Sequence, residues 1–148
     1  WAFATAGVKA LKLFDSIAAE AQRQIREFNA QNMANTVWAF ATAGVAALTL
    51  FEAIAVEAQR QIREFNAQNM ANTVWAFATA GVAALTLFEA IAAEASRRIR
   101  EFNPQSMANT VWAFATAGVS SQPLFATIGA EAWNRMSDFN AQDMANMA

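Results

Sequence analysis

The stretch FNAQNMANTVWAFATAG fills residues 28–44, returns letter for letter at 65–81, and returns with two substitutions at 102–118. It holds no histidine, no cysteine and no charge, so its repetition points first to architecture. Trp1, Trp38, Trp75 and Trp112 mark a constant step of 37 residues. A period in this range is the signature of a solenoid, in which each unit buries its apolar face against its neighbours. We therefore read residues 1–148 as one all-α array, an α-solenoid of four helical-hairpin units at 1–37, 38–74, 75–111 and 112–148. The expected form is a right-handed superhelix of paired antiparallel helices. The first and last hairpins are partial, and we expect the natural array to continue in both directions.

Two helical patterns alternate within a unit. The first starts at Asn29, Asn66, Asn103 and Asn140, where an Asn side chain can cap free N–H groups. Pro104 then takes the first helical position, where its missing N–H costs nothing. Gly44, Gly81 and Gly118 end the pattern, since glycine adopts the left-handed C-cap conformation without strain. The result is a helix of about fourteen residues, roughly 21 Å long. Met33, Ala34, Val37, Trp38 and Ala41 fall on one face, with Asn32, Asn35, Ala39 and Thr42 opposite. On this basis the tryptophans are expected to be stacking core.

The second pattern is expected to start at Thr49 and Thr86, where Glu52 and Glu89 complete a capping box. Pro123 replaces that Thr in the last unit, which suggests a start shifted by a residue. Phe51, Ile54, Ala55, Ala58, Ile62 and Phe65 form the apolar stripe. Glu52, Glu57, Arg60, Arg63 and Glu64 are expected outside, with Glu57 and Arg60 as a surface pair. Most differences between units fall on that outer side, where Gln22, Gln59, Ser96 and Trp133 are equivalent.

Composition narrows the functions. Ten Lys plus Arg against twelve Asp plus Glu give a formal charge of −2, which does not attract polyanions over the whole surface. The absence of His and Cys removes the usual metal ligands and the usual general base. No residue cluster suits catalysis: Ser16, Ser96, Ser106, Ser120, Ser121 and Ser137 have no histidine to activate them, and the glycines are isolated. We expect no enzyme activity in this segment, no cofactor and no metal. Val37 to Phe51 is uncharged but short of the roughly 20 residues of a membrane span, so none is expected.

The segment at 102–118 resembles the octotricopeptide repeat and its relative, the heptatricopeptide repeat, through Phe102, Pro104, Gln105, Ala108, Asn109, Trp112, Ala113, Ala115 and Gly118. The resemblance extends over the whole chain. It implies an α-solenoid that binds organellar RNA, in a plastid or mitochondrion, and acts in transcript processing, stability or translation. On that reading Asn35, Asn72 and Asn109, with Thr42, Thr79 and Thr116, contact bases. Arg23, Arg60 and Arg97, with Arg26, Arg63 and Arg100, contact phosphates. Two further roles stay open at this point: the Asn side chains could hold neighbouring turns in register, and the Arg side chains could pair with Glu. The identical units imply a single-stranded target that is homopolymeric or simply repeating. The alternative partner is protein, with the array serving as a scaffold in a large organellar assembly.

Overall fold

A computed structural model describes residues 11–148. The half-helix expected at residues 1–7 lies outside the described residues. Among the described residues eight α-helices follow one another: α1 (Leu11–Arg23), α2 (Ala30–Ala43), α3 (Leu48–Arg60), α4 (Ala67–Ala80), α5 (Leu85–Arg97), α6 (Pro104–Ala117), α7 (Gln122–Asn134) and α8 (Ala141–Met147). The even-numbered helices stack on one another in one layer, and the odd-numbered helices stack in a second. This is the helical repeat architecture that the 37-residue period predicts.

The ends of α2, α4 and α6 are set by local chemistry. Asn29, Asn66 and Asn103 each accept a hydrogen bond from the backbone N–H three residues on, at 2.7 Å. Asn32 and Asn69 return the bond to the cap's own N–H, closing a capping box of two asparagines. Pro104 occupies the first position of α6. Gly44, Gly81 and Gly118 close the three helices at φ 70°, 70° and 69°, a left-handed backbone that a Cβ would strain.

The odd-numbered helices start differently from expectation. Ala47 and Ala84 precede α3 and α5, and neither offers a capping side chain. Thr49 and Thr86 already lie inside the first turn, so no capping box forms with Glu52 or Glu89. Their hydroxyls are turned to the preceding repeat instead: Gln22 donates to Thr49 at 3.0 Å, and Gln59 donates to Thr86 at 3.2 Å. Helix α7 begins at Gln122, in register with Leu48 and Leu85, so Pro123 does not shift the start. A proline in a first turn forfeits no helical hydrogen bond, which explains the tolerance.

Phenylalanine joins the layers. Phe14 meets Phe40, Phe51 meets Phe77, and Phe88 meets Phe114 edge-to-face, with ring centroids 4.9 to 5.0 Å apart. Around them Met33, Val37, Leu50, Ile54, Met70, Val74, Leu87, Ile91 and Met107 are fully buried. Alanine lines both flanks of the even helices: Ala34 and Ala41 on one side, Ala39 on the other, all buried. With so little side chain between them, the even helices approach more closely than the odd ones. A stack spaced more tightly in one layer curves toward that layer. The even helices therefore supply the inner surface.

Glutamate is the main departure from the expected outer face of the odd helices. Glu57 and Glu94 are buried, at 5% and 7% exposure. Glu57 accepts hydrogen bonds from Arg60 and Gln61, and Glu94 from Arg97 and Arg98. The same Gln61 also donates to the Phe28 carbonyl of the preceding repeat at 2.9 Å. Arg98 and Arg135 do so to Phe65 and Phe102, both at 2.6 Å. These are bonds between repeats rather than decoration of a solvated face.

The Arg60 hydrogen bond, opposed by burial and joined by that of Gln61, holds the Glu57 carboxyl below its ordinary 4.5. Burial pushes Glu94 up, but the bonds from Arg97 and Arg98 outweigh it and the net shift is also downward. A depressed folded-state pKa contributes stability that is present above the unfolded value and lost as pH falls through the folded one. The melting temperature is thus expected to hold above pH 4.5 and to fall progressively below it. The Glu57→Gln, Glu94→Gln double variant should flatten that acid limb in thermal melts. An equally steep limb in the variant would assign it to other carboxylates.

Candidate nucleic-acid interface

Helical geometry places Gln31, Asn35, Trp38 and Thr42 within about 60° of one another around α2. Their spacing is i, i+4, i+7 and i+11. Gln68, Asn72, Trp75 and Thr79 repeat the set on α4, and Gln105, Asn109, Trp112 and Thr116 repeat it on α6. This stripe points away from Phe40, Phe77 and Phe114, which anchor the opposite side of each helix. It forms three identical rungs on the inner layer.

Tryptophan accordingly stands at the edge of the core and not within it. Trp38 and Trp75 are half-buried, while Trp112 is 36% exposed. The core face predicted from the sequence spanned too wide an arc, and Trp stands at its far edge; Ala39 and Phe40 take the buried places instead. Consecutive tryptophans form a ladder. Trp38 and Trp75 have ring centroids 6.4 Å apart with planes at 31°, and Trp75 and Trp112 repeat this at 6.4 Å and 30°.

The base-contact candidates all lie on the stripe. Asn35 is exposed, Asn72 and Asn109 are half-buried, and Thr42, Thr79 and Thr116 are exposed. The three Asn side chains make no hydrogen bond with a described residue. They do not hold turns in register; that work falls to Gln61, Arg98 and Arg135. Thr36, Thr73 and Thr110, one position beyond each Asn, are spent locally, each donating to the carbonyl four residues back at 2.7 Å. Gln31, Gln68, Gln105 and the tryptophans are stripe members that sequence reasoning missed, although the i, i+4, i+7, i+11 spacing was there to find them.

The arginine candidates divide. Arg23, Arg60 and Arg97 are paired with Glu20, Glu57 and Glu94. Arg26, Arg63 and Arg100, in the short 3₁₀ turns between odd and even helices, are exposed and make no ion pair with a described residue. Arg63 and Arg100 line one surface depression with Arg97, Arg98 and Glu101. Arg98 and Glu101 also border a shallow trough of about 230 Å³ with Gln68 of the stripe. Arg63 and Arg100 therefore stand beside Ser96 and Arg97 at the end of α5, off the stripe, and the Arg26 charge acts on Glu57 of the next repeat. Glu27 borders a groove with Asn35, Asn32 and Thr36, and its carboxylate disfavours a phosphate at that point.

A different opening lies in the outer layer. Where the Gln–Thr pair would recur between α5 and α7, Ser96 and Pro123 stand instead and no bond forms. A cleft of about 400 Å³ occupies the place, with Leu85, Ala92, Phe114 and Val119 in its walls and Glu89, Ser120 and Ser121 at its margin.

Among the described residues, no group of His, Cys, Asp and Glu could hold a metal ion, and no helix is long and apolar enough to cross a membrane. The fold and the stripe define a helical repeat protein whose inner surface offers aromatic faces and unspent amides in register. A family model described as RNA-editing substrate-binding complex 6 protein matches residues 1–148, and the chain belongs to that family. Membership ties the chain to RNA and to a multi-component complex. It also corrects the resemblance drawn from residues 102–118: the matching family is helical and RNA-related, but it is neither the octotricopeptide nor the heptatricopeptide repeat family. No curated protein matches the chain.

Proposed function

We propose that the chain binds single-stranded RNA along the inner helical layer, as part of a complex that handles organellar transcripts. It works by binding and not by catalysis. The observation that carries this reading is the set of three identical rungs whose Asn35, Asn72 and Asn109 amides are left unspent by the fold. An amide offers a donor and an acceptor to a base edge, and unstacked single-stranded bases expose those edges. The mitochondrion is the compartment proposed, because the family's association with mitochondrial RNA editing supports it and nothing supports a plastid.

Arg26, Arg63 and Arg100 are the phosphate contacts in this reading, while Arg23, Arg60 and Arg97 stay with their glutamates. Three such contacts on a single strand give an expected slope of log K against log salt of about −2, at roughly 0.7 per contact. Fluorescence anisotropy with four labelled RNA homopolymers tests the reading. One homopolymer should bind best, because identical rungs select identical bases. Asn72→Ala with Thr79→Ala should weaken that preference without lowering the melting temperature. Equal affinity for all four would remove base reading by Asn and Thr.

The scaffold alternative is favoured by one observation, the cleft between α5 and α7. A protein segment seated there would leave the inner layer open to RNA. Association that survives nuclease and is lost on filling the cleft with Ser96→Leu is its expected signature.

A further inference from the structure

Helices α2, α4 and α6 carry no charged side chain. A strand lying along them receives little from counterion release, since Arg26, Arg63 and Arg100 belong to the 3₁₀ turns and not to these helices. The affinity of the stripe itself has to come from groups that suit neutral bases. Its largest such groups are the half-exposed indoles.

The ladder spacing is informative. At 6.4 Å and about 30° consecutive indoles are too far apart for close face-to-face stacking. The separation instead approaches two base-stacking steps of about 3.4 Å each. Neighbouring repeats contact only one another, so a small opening between two of them disturbs little else. We propose that the bases of a single-stranded RNA interleave with Trp38, Trp75 and Trp112, one base entering each gap between consecutive indoles. The strand then advances one nucleotide per repeat. This inference rests on the RNA-binding reading above and adds to it the stacking partners and the stoichiometry.

The rest of the stripe fits this placement. Asn72 and Thr79 lie three residues before and four after Trp75, on the same side of α4, so a base beside the indole presents its edge to them. Glu27 borders the groove beside Asn35 and disfavours a phosphate there, and Arg26, Arg63 and Arg100, in the turns off the stripe, are the groups left to receive the backbone. Stacking accepts every base; the amides and hydroxyls then choose among them.

The test uses the full chain with Trp1→Phe and Trp133→Phe, so that only the ladder tryptophans emit. A short fluorescein-labelled RNA of the preferred homopolymer is titrated, reading anisotropy for binding and tryptophan emission for stacking. We expect saturable quenching that tracks the anisotropy. Trp75→Leu should weaken binding by about 5- to 150-fold, the range of one lost base–aromatic stack, while Trp75→Phe retains most of it. Replacing successive nucleotides by abasic sites should cost affinity at consecutive positions, one per gap. Binding without quenching, together with an unchanged Trp75→Leu affinity, overturns the interleaving and leaves the RNA-binding reading intact. No anisotropy change with any RNA overturns the RNA-binding reading and this inference with it. If Trp75→Leu lowers the melting temperature into the assay range, the quenching and abasic results on the unmutated ladder decide.

Discussion

Phe77→Ala is expected to cost the array about 3 to 5 kcal/mol, the usual consequence of emptying a fully buried phenylalanine site. Phe77 has no exposure and meets Phe51 edge-to-face at 4.9 Å, so its removal strips both layers of the contact that joins them. Its repeat is internal, and a solenoid depends on nearest-neighbour interfaces. The loss should therefore divide the cooperative unit as well as weaken it. A chemical melt followed by circular dichroism should shift to lower denaturant and broaden into two steps. Trp75→Ala is the internal control: a half-exposed indole should cost clearly less. The reverse order would return tryptophan to the core.

The second large effect concerns position 98. Arg98→Leu removes the donor to the Phe65 carbonyl and one of the two arginines bonded to the buried Glu94. A buried acceptor left without its partner costs about 1 to 3 kcal/mol, and two are affected here. Arg98→Gln should be almost neutral, because Gln61 already performs both tasks in the previous repeat. Equilibrium denaturation of the two variants separates the contributions of hydrogen bonding and charge. Equal destabilisation by Leu and Gln would show that the positive charge, and not the bond across repeats, is what matters at this site.

Much of the fold was legible because its signals are local. Asn caps, left-handed glycines, Pro104 and the 37-residue step each act within a few residues or recur by simple periodicity, and the helices lie where these marks put them. The misreadings arose where the deciding contact is made by another repeat. Thr49 looked like a helix cap because Glu52 follows it at the right distance, but its actual partner is Gln22, one repeat earlier. Glu57 looked like a solvated residue because it is charged, yet it is buried and bonded by Gln61, which in turn reaches the Phe28 carbonyl of the preceding repeat. Trp38 looked like core because it is large and apolar; Ala39 and Phe40 take the fully covered places, and the indoles are left half-buried at the edge. For the candidate interface, the sequence held the right columns of Asn and Thr but not the tryptophans between them. Of the arginines, the spacing of Glu57 and Arg60 marked one paired set, and the structure shows that pair.

The two kinds of bond that cross repeat boundaries obey different rules of succession. Gln61, Arg98 and Arg135 reach a backbone carbonyl, which any preceding unit provides. Gln22 and Gln59 reach a threonine hydroxyl, which only some following units possess. The order of units is thereby constrained even though the inner layer is uniform. Exchanging the segments that carry Gln59 and Ser96 would set Gln59 beside Pro123 and strand Thr86 opposite a serine. The array reads the same from within in any order, but from without it has a grammar.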